Sequence, residues 1–365
     1  MKQYSFSQLD TWFFHEARPY DSIGGSHLNT IFPPTARTLA GAVRTLIGDN
    51  YGVDWNKFNK GKEAKLSEQI GDYKQLGKLR LIGSYFLYED ERLYPMPLTI
   101  LEKDKQFTRL LPGNAVECDL GKVNLPVLEQ RIDGAKPLEN AWLTAAELQK
   151  VLEGKIENLK YHQSEELYKN EPRTGIGLNK ESHTVEETML YQTNHIRFCE
   201  PSKLKIAVMV DGIEENFHPT KGMIRLGGDG RFAEVSINEH QNPKIKINKL
   251  HKAKQIFLTL LTAANLGENW LPKGFTEQTD KQGTKIWRGN INGVELNIIS
   301  AVLGKSIREG GWDLANKQPR EVISLIPAGS VWFCRVESGN PSNLNGYHIG
   351  EETEFGRGEL AVGVW

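Results

Sequence analysis

FPPTARTLAGAVRTLIG, Phe32–Gly48, is where the chain turns from strand to helix. Pro33 and Pro34 stiffen the approach, Thr35 is placed to cap the first turn, and Leu39, Val43, Leu46 and Ile47 recur at the spacing of a buried helical stripe. The same segment holds an anomaly. Gly41 stands in the helix interior, where glycine costs about 1 kcal/mol relative to alanine, on the face that carries Arg37 and Arg44. Two explanations stay open. Either a partner approaches a bare backbone between two guanidinium groups, or the helix packs closely on its own sheet and the arginines are merely solvated.

Upstream, YSFSQLDTWFF reads as a first strand. Downstream, the stretch 54–80 carries Lys57, Lys60, Lys62, Lys65, Lys74, Lys78 and Arg80 against Glu63, Glu68 and Asp72, an ordered excursion with a basic face, before LRLIGSYFLYED returns to strand character. TAAELQKVLEG, Thr144–Gly154, is a second helix, with a threonine cap, Glu147 at capping-box spacing and a terminal glycine. Beyond it HIRFCE, LKIAVMVDG, GMIRL, RFAEVSI and QIFLTLLTA are strand candidates separated by turn residues, and LAVGVW forms a closing strand. Many short strands with few helices give an α+β class. The expected boundary falls near Pro201, dividing 1–200, with its lysine-rich insertion, from 201–365.

At 365 residues with 39% hydrophobic content, the chain has material for two ordinary domains. A formal net charge of -1 gives no global basic field, so any nucleic-acid binding must come from local patches. Cys118, Cys199 and Cys334 are far apart and odd in number, which suits buried thiols in a reducing compartment rather than a disulfide framework or zinc knuckle. No apolar run approaches membrane-spanning length and the start lacks a signal-peptide hydrophobic stretch, so a cytoplasmic protein without membrane contact is expected.

Several segments imitate chemical motifs. LGKS, 303–306, lacks the earlier glycine of a phosphate-binding loop, where Ile299 stands instead. GGDG, Gly227–Gly230, has one acid where a two-metal site needs a pair, and reads as a tight turn between strands. The histidines show no metal-ligand spacing. His183 and His195, near Arg173, Lys180, Tyr191 and Arg197, are either local hydrogen-bonding groups of a polar loop or acid–base groups for metal-free RNA cleavage, in which the 2′-hydroxyl is the nucleophile. In EFGRGELAVGVW, Gly356 and Gly358 flank Arg357, an arrangement that can cradle a phosphate or simply make a turn.

Taken together, LDTWFFHEARPYD, FPPTARTLAGAVRT, WLTAAELQKVL, PRTGIGLNKESHTVEETMLYQTNHIRF, RLGGDGRFAEV, GWDLANKQP, PAGSVWF and the glycine-rich end resemble, in order and over nearly the whole chain, the third subunit of the type III-B CRISPR effector, the Cmr complex. The resemblance places the chain among the RAMP proteins and implies two ferredoxin-like, RRM-type domains with insertions and a glycine-rich C-terminal loop. It implies a non-catalytic, cofactor-free subunit that holds the 5′ handle of the crRNA and contacts the large Cas subunit and the backbone RAMP subunits in antiviral defence. Two local departures stand out: His15-Glu16-Ala17 replaces a basic residue and an acid–glycine pair, and Thr262-Ala263-Ala264 replaces a Thr-Pro-Ala turn.

Drawn from the resembling blocks, the expected RNA contacts are Arg18, Arg37, Gly41, Arg44, Arg173, Lys180, His183, Arg231, Gly356, Arg357 and Gly358. Arg37 is favoured over Arg44 because it lies in the first helical turn, near the positive end of the helix dipole. The competing functions are a metal-free RAMP endoribonuclease that processes crRNA precursors, and a pure protein–protein adaptor.

Overall fold

The computed structural model describes residues 1–16, 27–73, 75–178, 184–240, 245–248, 250–313 and 317–365. Its principal elements, in chain order, are Lys2–Gln8 (β1), Ala36–Tyr51 (α1), Arg80–Tyr88 (β2), Gln106–Cys118 (β3), Gly121–Leu128 (β4), Ala145–Leu152 (α2), Tyr168–Leu178 (β5), Val185–Phe198 (β6), Leu204–Asp211 (β7), Lys221–Arg225 (β8), Phe232–Glu239 (β9), Gln255–Leu260 (β10), Thr276–Thr279 (β11), Lys285–Ile291 (β12), Val294–Val302 (β13), Val331–Ser338 (β14) and Leu360–Val364 (β15). The architecture is mixed α and β with several antiparallel sheets, in keeping with the α+β expectation.

Two compact units share the chain. The first comprises Met1–Glu91, Ser164–Gln241 and Arg308–Ile323; the second comprises Arg92–Gln163, Asn242–Ile307 and Ser324–Trp365. Each is discontinuous, so no single cut separates them. The boundary expected near Pro201 does not match this division, because β7, which follows Pro201 directly, lies between β1 and β2 in one sheet.

In the first unit the sheet runs in the order β8, β9, β1, β7, β2. β1 and β2 both pair antiparallel with β7, so they are parallel to each other, and α1 lies between them in sequence. That is a split βαβ connection. α1 starts where its cap places it: Thr35 accepts a hydrogen bond from the Thr38 amide at 3.3 Å. It ends at Gly52, which is left-handed with φ 77°. Leu39, Val43, Leu46 and Ile47 are buried as the period requires. Removing each such side chain from water contributes about 1.5–3 kcal/mol. Gly222 on β8 admits the helix closely, since a Cβ there would collide with Leu46. The opposite face of the sheet buries Tyr85, Leu87, Ala207 and Met209.

In the second unit, the order is β11, β12, β13, β14, β10, β15. Alternating residues supply its two faces: Ile256, Leu258, Leu296, Ile298, Trp332 and Val362 on one, and Phe257, Ile299, Val331, Phe333 and Ala361 with Leu148, Val151 and Leu152 of α2 on the other. Gly363 lets α2 approach, because a Cβ there would lie 2.8 Å from the Leu152 carbonyl oxygen. Thr144 caps α2 by accepting from the Glu147 amide at 3.4 Å. Glu147 does not close the expected box. Its carboxylate takes Lys150 Nζ at 2.6 Å and the Lys160 amide at 3.2 Å instead.

Of two long hairpins, the sequence marks as strand only the end of β6, within HIRFCE. β5 and β6 pair from Tyr168↔Phe198 to Ile176↔Leu190, in a region read as a polar loop, and β3 and β4 pair from Leu110↔Leu128 to Cys118↔Gly121. The lysine-rich excursion folds as the short helices Trp55–Asn59 and Ala64–Ile70. No helix among the described residues is long and apolar enough to cross a membrane.

Candidate nucleic-acid interface

The helix that opens the sequence keeps one half of its expected face and loses the other. Gly41 is exposed, and a Cβ built on it meets nothing within 4 Å. Packing against the protein's own sheet is therefore not the reason for this glycine. Arg37, one turn earlier and partly buried, stands with its Nε 4.0 Å from Glu309 Oε1, a carboxylate buried in the same unit. Arg44 is turned inward. Its Nη2 donates to the Asp72 carbonyl at 2.6 Å, and burial, the largest influence on it, lowers its pKa. Arg44 fastens the loop after the Ala64–Ile70 helix.

A second constellation forms where the end of β1 meets the β5–β6 hairpin and the turn between β8 and β9. Asp10 Oδ2 accepts from Arg231 Nη1 at 2.8 Å and from Arg173 Nη2 at 3.1 Å, while Oδ1 accepts from Arg197 Nη2 at 3.0 Å. Glu171 Oε1 receives Arg173 Nη2 at 2.8 Å and Arg197 Nη2 at 3.2 Å, and its Oε2 receives Arg197 Nε. Asp229 Oδ2 takes Arg231 Nη2 at 3.2 Å. The arginine partners hold the Glu171 carboxyl at about 2, with the Arg197 hydrogen bond the largest cause. Partial burial pushes Asp10 upward, but the donors of Arg197 and Arg173 outweigh it and leave its pKa below the usual value. The hydrogen bond to Glu171 raises the pKa of Arg197.

Local sequence explains why these groups meet. In β5 and β6, Arg173 and Glu171 alternate onto one face, and Lys169↔Arg197 and Glu171↔His195 are register partners, so Arg197 stands diagonally across from Glu171. The GGDG segment makes the tight turn expected between β8 and β9, closed by Leu226 N–H to Arg231 carbonyl at 2.9 Å. Gly227 has φ +88°, and a Cβ on it would lie 2.5 Å from the Phe13 carbonyl oxygen. Gly228 donates its amide to that same oxygen at 2.7 Å. The turn is thus seated on the 10–14 segment, which brings Arg231 to Asp10. Arg197 belongs to this array although it was not among the expected contacts; only the hairpin register, hidden in a polar stretch, reveals it.

The glycine-rich end does not form an open cradle. Arg357 is 2% exposed and its Nε lies 3.2 Å from Glu352 Oε2. Gly356 and Gly358 have φ of 85° and 72°, and a Cβ on Gly358 would strike the Ile349 carbonyl. Their amides are already used, Gly356 N–H by Thr353 carbonyl at 2.9 Å and Gly358 N–H by Ala263 carbonyl at 3.0 Å. Thr262 Oγ donates to the Gly356 carbonyl at 2.8 Å. These residues build an internal turn, so the phosphate-cradle expectation for Gly356, Arg357 and Gly358 is corrected on grounds of burial.

His195 is fully buried. Its ring stacks on Phe13 at a centroid distance of 5.4 Å, and Nδ1 lies 3.0 Å from Thr11 Oγ1. Burial lowers its pKa, so it is neutral near pH 7. A sealed ring cannot take a proton from a 2′-hydroxyl, and the acid–base role for His195 is corrected to a core role. Arg18, Lys180 and His183 lie outside the described residues. Among the described residues no group of three or more His, Cys, Asp or Glu could hold a metal ion.

A family model described as CRISPR-associated protein (Cas_Cmr3) matches residues 4–365. The fold is similar to a chain in a cryo-EM structure of the type III-B Cmr-beta complex bound to cognate target RNA and AMPPnP, with a TM-score of 0.51, 14% identity, and 91% of this chain and 86% of that chain covered. It is likewise similar to a chain of Cmr-beta bound to cognate target RNA, with a TM-score of 0.50, 15% identity and the same coverage. A search of curated proteins gave no match. With the match running over almost its full length, the chain belongs to the Cas_Cmr3 family, RAMP-type subunits of the type III-B CRISPR effector.

Proposed function

We propose that this chain is the non-catalytic subunit that binds the crRNA 5′ handle and links it to the large Cas subunit and the backbone RAMP subunits of a type III-B effector. The relatives of known structure are described as Cmr-beta complexes bound to cognate target RNA, which supports a place in an RNA-guided assembly. Strands β9, β1, β7 and β2 of the first sheet, and β15, β10, β14 and β13 of the second, each lie side by side in the order fourth, first, third, second when the four are counted along the chain. That shared order supports two ferredoxin-like RAMP modules, here interleaved rather than consecutive.

The observation that carries the handle reading is the exposed, unpacked Gly41 one turn from Arg37. A helix-interior glycine with no internal use leaves room for a sugar–phosphate backbone beside a guanidinium group near a helix N-terminus. The test is to reconstitute the complex with wild-type chain or R37Q and to measure handle binding across salt concentrations. A phosphate contact predicts weaker binding with a salt slope shallower by about 0.7 per lost contact. Unchanged affinity and slope would remove Arg37 from the site. The buried His195 gives the nuclease alternative no support, and binding to the large subunit without RNA affinity is the outcome that would favour the adaptor.

A further inference from the structure

We propose that Arg173, Arg197 and Arg231 form a clamp for one phosphodiester group of single-stranded RNA, with Asp10 occupying the phosphate position when RNA is absent. The inference rests on the reading that this chain meets crRNA, and it names a site for that contact.

Three guanidinium groups from three separate positions converge on one small oxyanion. Asp10 receives Arg231 at 2.8 Å, Arg197 at 3.0 Å and Arg173 at 3.1 Å. Convergent forked donors around a single tetrahedral or planar oxyanion are the stereochemistry by which arginine recognises phosphate and carboxylate alike. The other two acids play a different part. Glu171 holds Arg173 and Arg197, and Asp229 holds Arg231, so the donors stay in position without Asp10. Asp10 is the acid shared by all three arginines, and its side chain is 46% exposed, so it can swing outward into water.

Charge and hydrogen bonding both leave room for a larger anion. With Asp10 in place, three arginines face three carboxylates; with Asp10 turned out, the pocket carries one uncompensated positive charge. Two buried nitrogens beside the array are also unfilled. Arg231 Nε has no hydrogen-bond partner, and neither does His195 Nε2, which lies 3.5 Å from Asp229 Oδ2. A phosphodiester has four oxygens to offer where Asp10 has two. Three guanidinium groups gathered around one anion position favour phosphate over the single carboxylate of an acidic peptide.

The test uses the full-length chain, a labelled single-stranded RNA and fluorescence anisotropy over a range of salt, with inorganic phosphate as competitor. R197A is expected to weaken binding about tenfold and flatten the salt slope by about 0.7. D10N keeps the shape but removes the competing charge, and is expected to tighten binding about tenfold. Inorganic phosphate should compete with RNA in the wild type and lose that effect in R197A. A folded D10N that binds RNA equally or more weakly overturns the proposal; if D10N does not fold, an unaltered slope in R197A does so. Absence of RNA binding by the wild type, or competition by an acidic peptide but not by phosphate, overturns it as well. Handle crosslinks to this chain in the assembled complex, with D10N and R197A unchanged, would sink the clamp while leaving the handle-binding reading intact.

Discussion

Arg92 and Glu359 form a closed two-pronged ion pair within the second unit, with Nη2 to Oε2 at 2.6 Å and Nη1 to Oε1 at 3.3 Å. Both side chains are almost fully buried. Glu359 follows the glycine turn directly, and its amide donates to Thr262 Oγ1 at 2.9 Å, so the pair anchors the chain's last strand and the Gly356–Gly358 turn together. Breaking one partner strands the other charge in the core. E359A is expected to cost about 3–5 kcal/mol in urea unfolding, whereas R92M/E359L should recover most of that loss. A loss below about 1 kcal/mol in the single variant would show that the pair is not structural.

G41A separates folding from binding. A methyl group at this position meets nothing, and alanine is the better helix former, so the variant should be more stable by about 1 kcal/mol. In the reconstituted complex the same methyl group should weaken handle binding, because it fills the space held open for a partner. A variant that is stabilised and binds the handle normally would mean that nothing approaches α1 at Gly41.

Much of this fold was legible in the sequence, and the failures share a cause. α1 and α2 were read from helical period and threonine caps, and β7, β8, β9, β10 and β15 from apolar runs between turn residues, because burial writes a regular pattern. The β5–β6 hairpin wrote none. Apart from HIRFCE at its end, which reads as strand, its residues around Glu171 and Arg173 face polar partners, so they looked like a loop until their register was seen. For the candidate site, the GGDG turn was readable from its motif, and Arg173 and Arg231, both named from the sequence, meet at Asp10. The inward turns of Arg44 and Arg357 were not readable, since Asp72 lies 28 positions from Arg44 and the Gly356–Gly358 turn is closed by Thr262 and Ala263, far along the chain.

The pH dependence of stability has a definite sign at Glu171. Its folded pKa of about 2 lies below the ordinary 4.5, so its arginine partners stabilise the fold fully above about pH 4.5, and that contribution is lost as pH falls toward 2. The melting-temperature difference between wild type and E171Q should therefore be largest near neutrality and shrink between pH 4.5 and 2. A difference that stays constant across that range would show that Glu171 is not held ionised by Arg197 and Arg173.

His195 should matter to folding and not to chemistry. H195A removes a ring packed on Phe13 and held by Thr11, and should lower stability by about 2–4 kcal/mol. Precursor RNA incubated in chelator should remain as intact with wild type as with the variant. Cleavage by the wild type that H195A abolishes, while the variant remains folded, would restore the nuclease reading.

Whether this chain holds the crRNA 5′ handle is decided by photocrosslinking. The assembled complex would carry crRNA with a photoreactive group in the handle, and the attached peptides would be mapped after irradiation. The account predicts crosslinks in this chain to peptides containing Arg37–Gly41 or the Asp10, Arg173, Arg197 and Arg231 array, with the RNA uncleaved. Crosslinks confined to neighbouring subunits would contradict it.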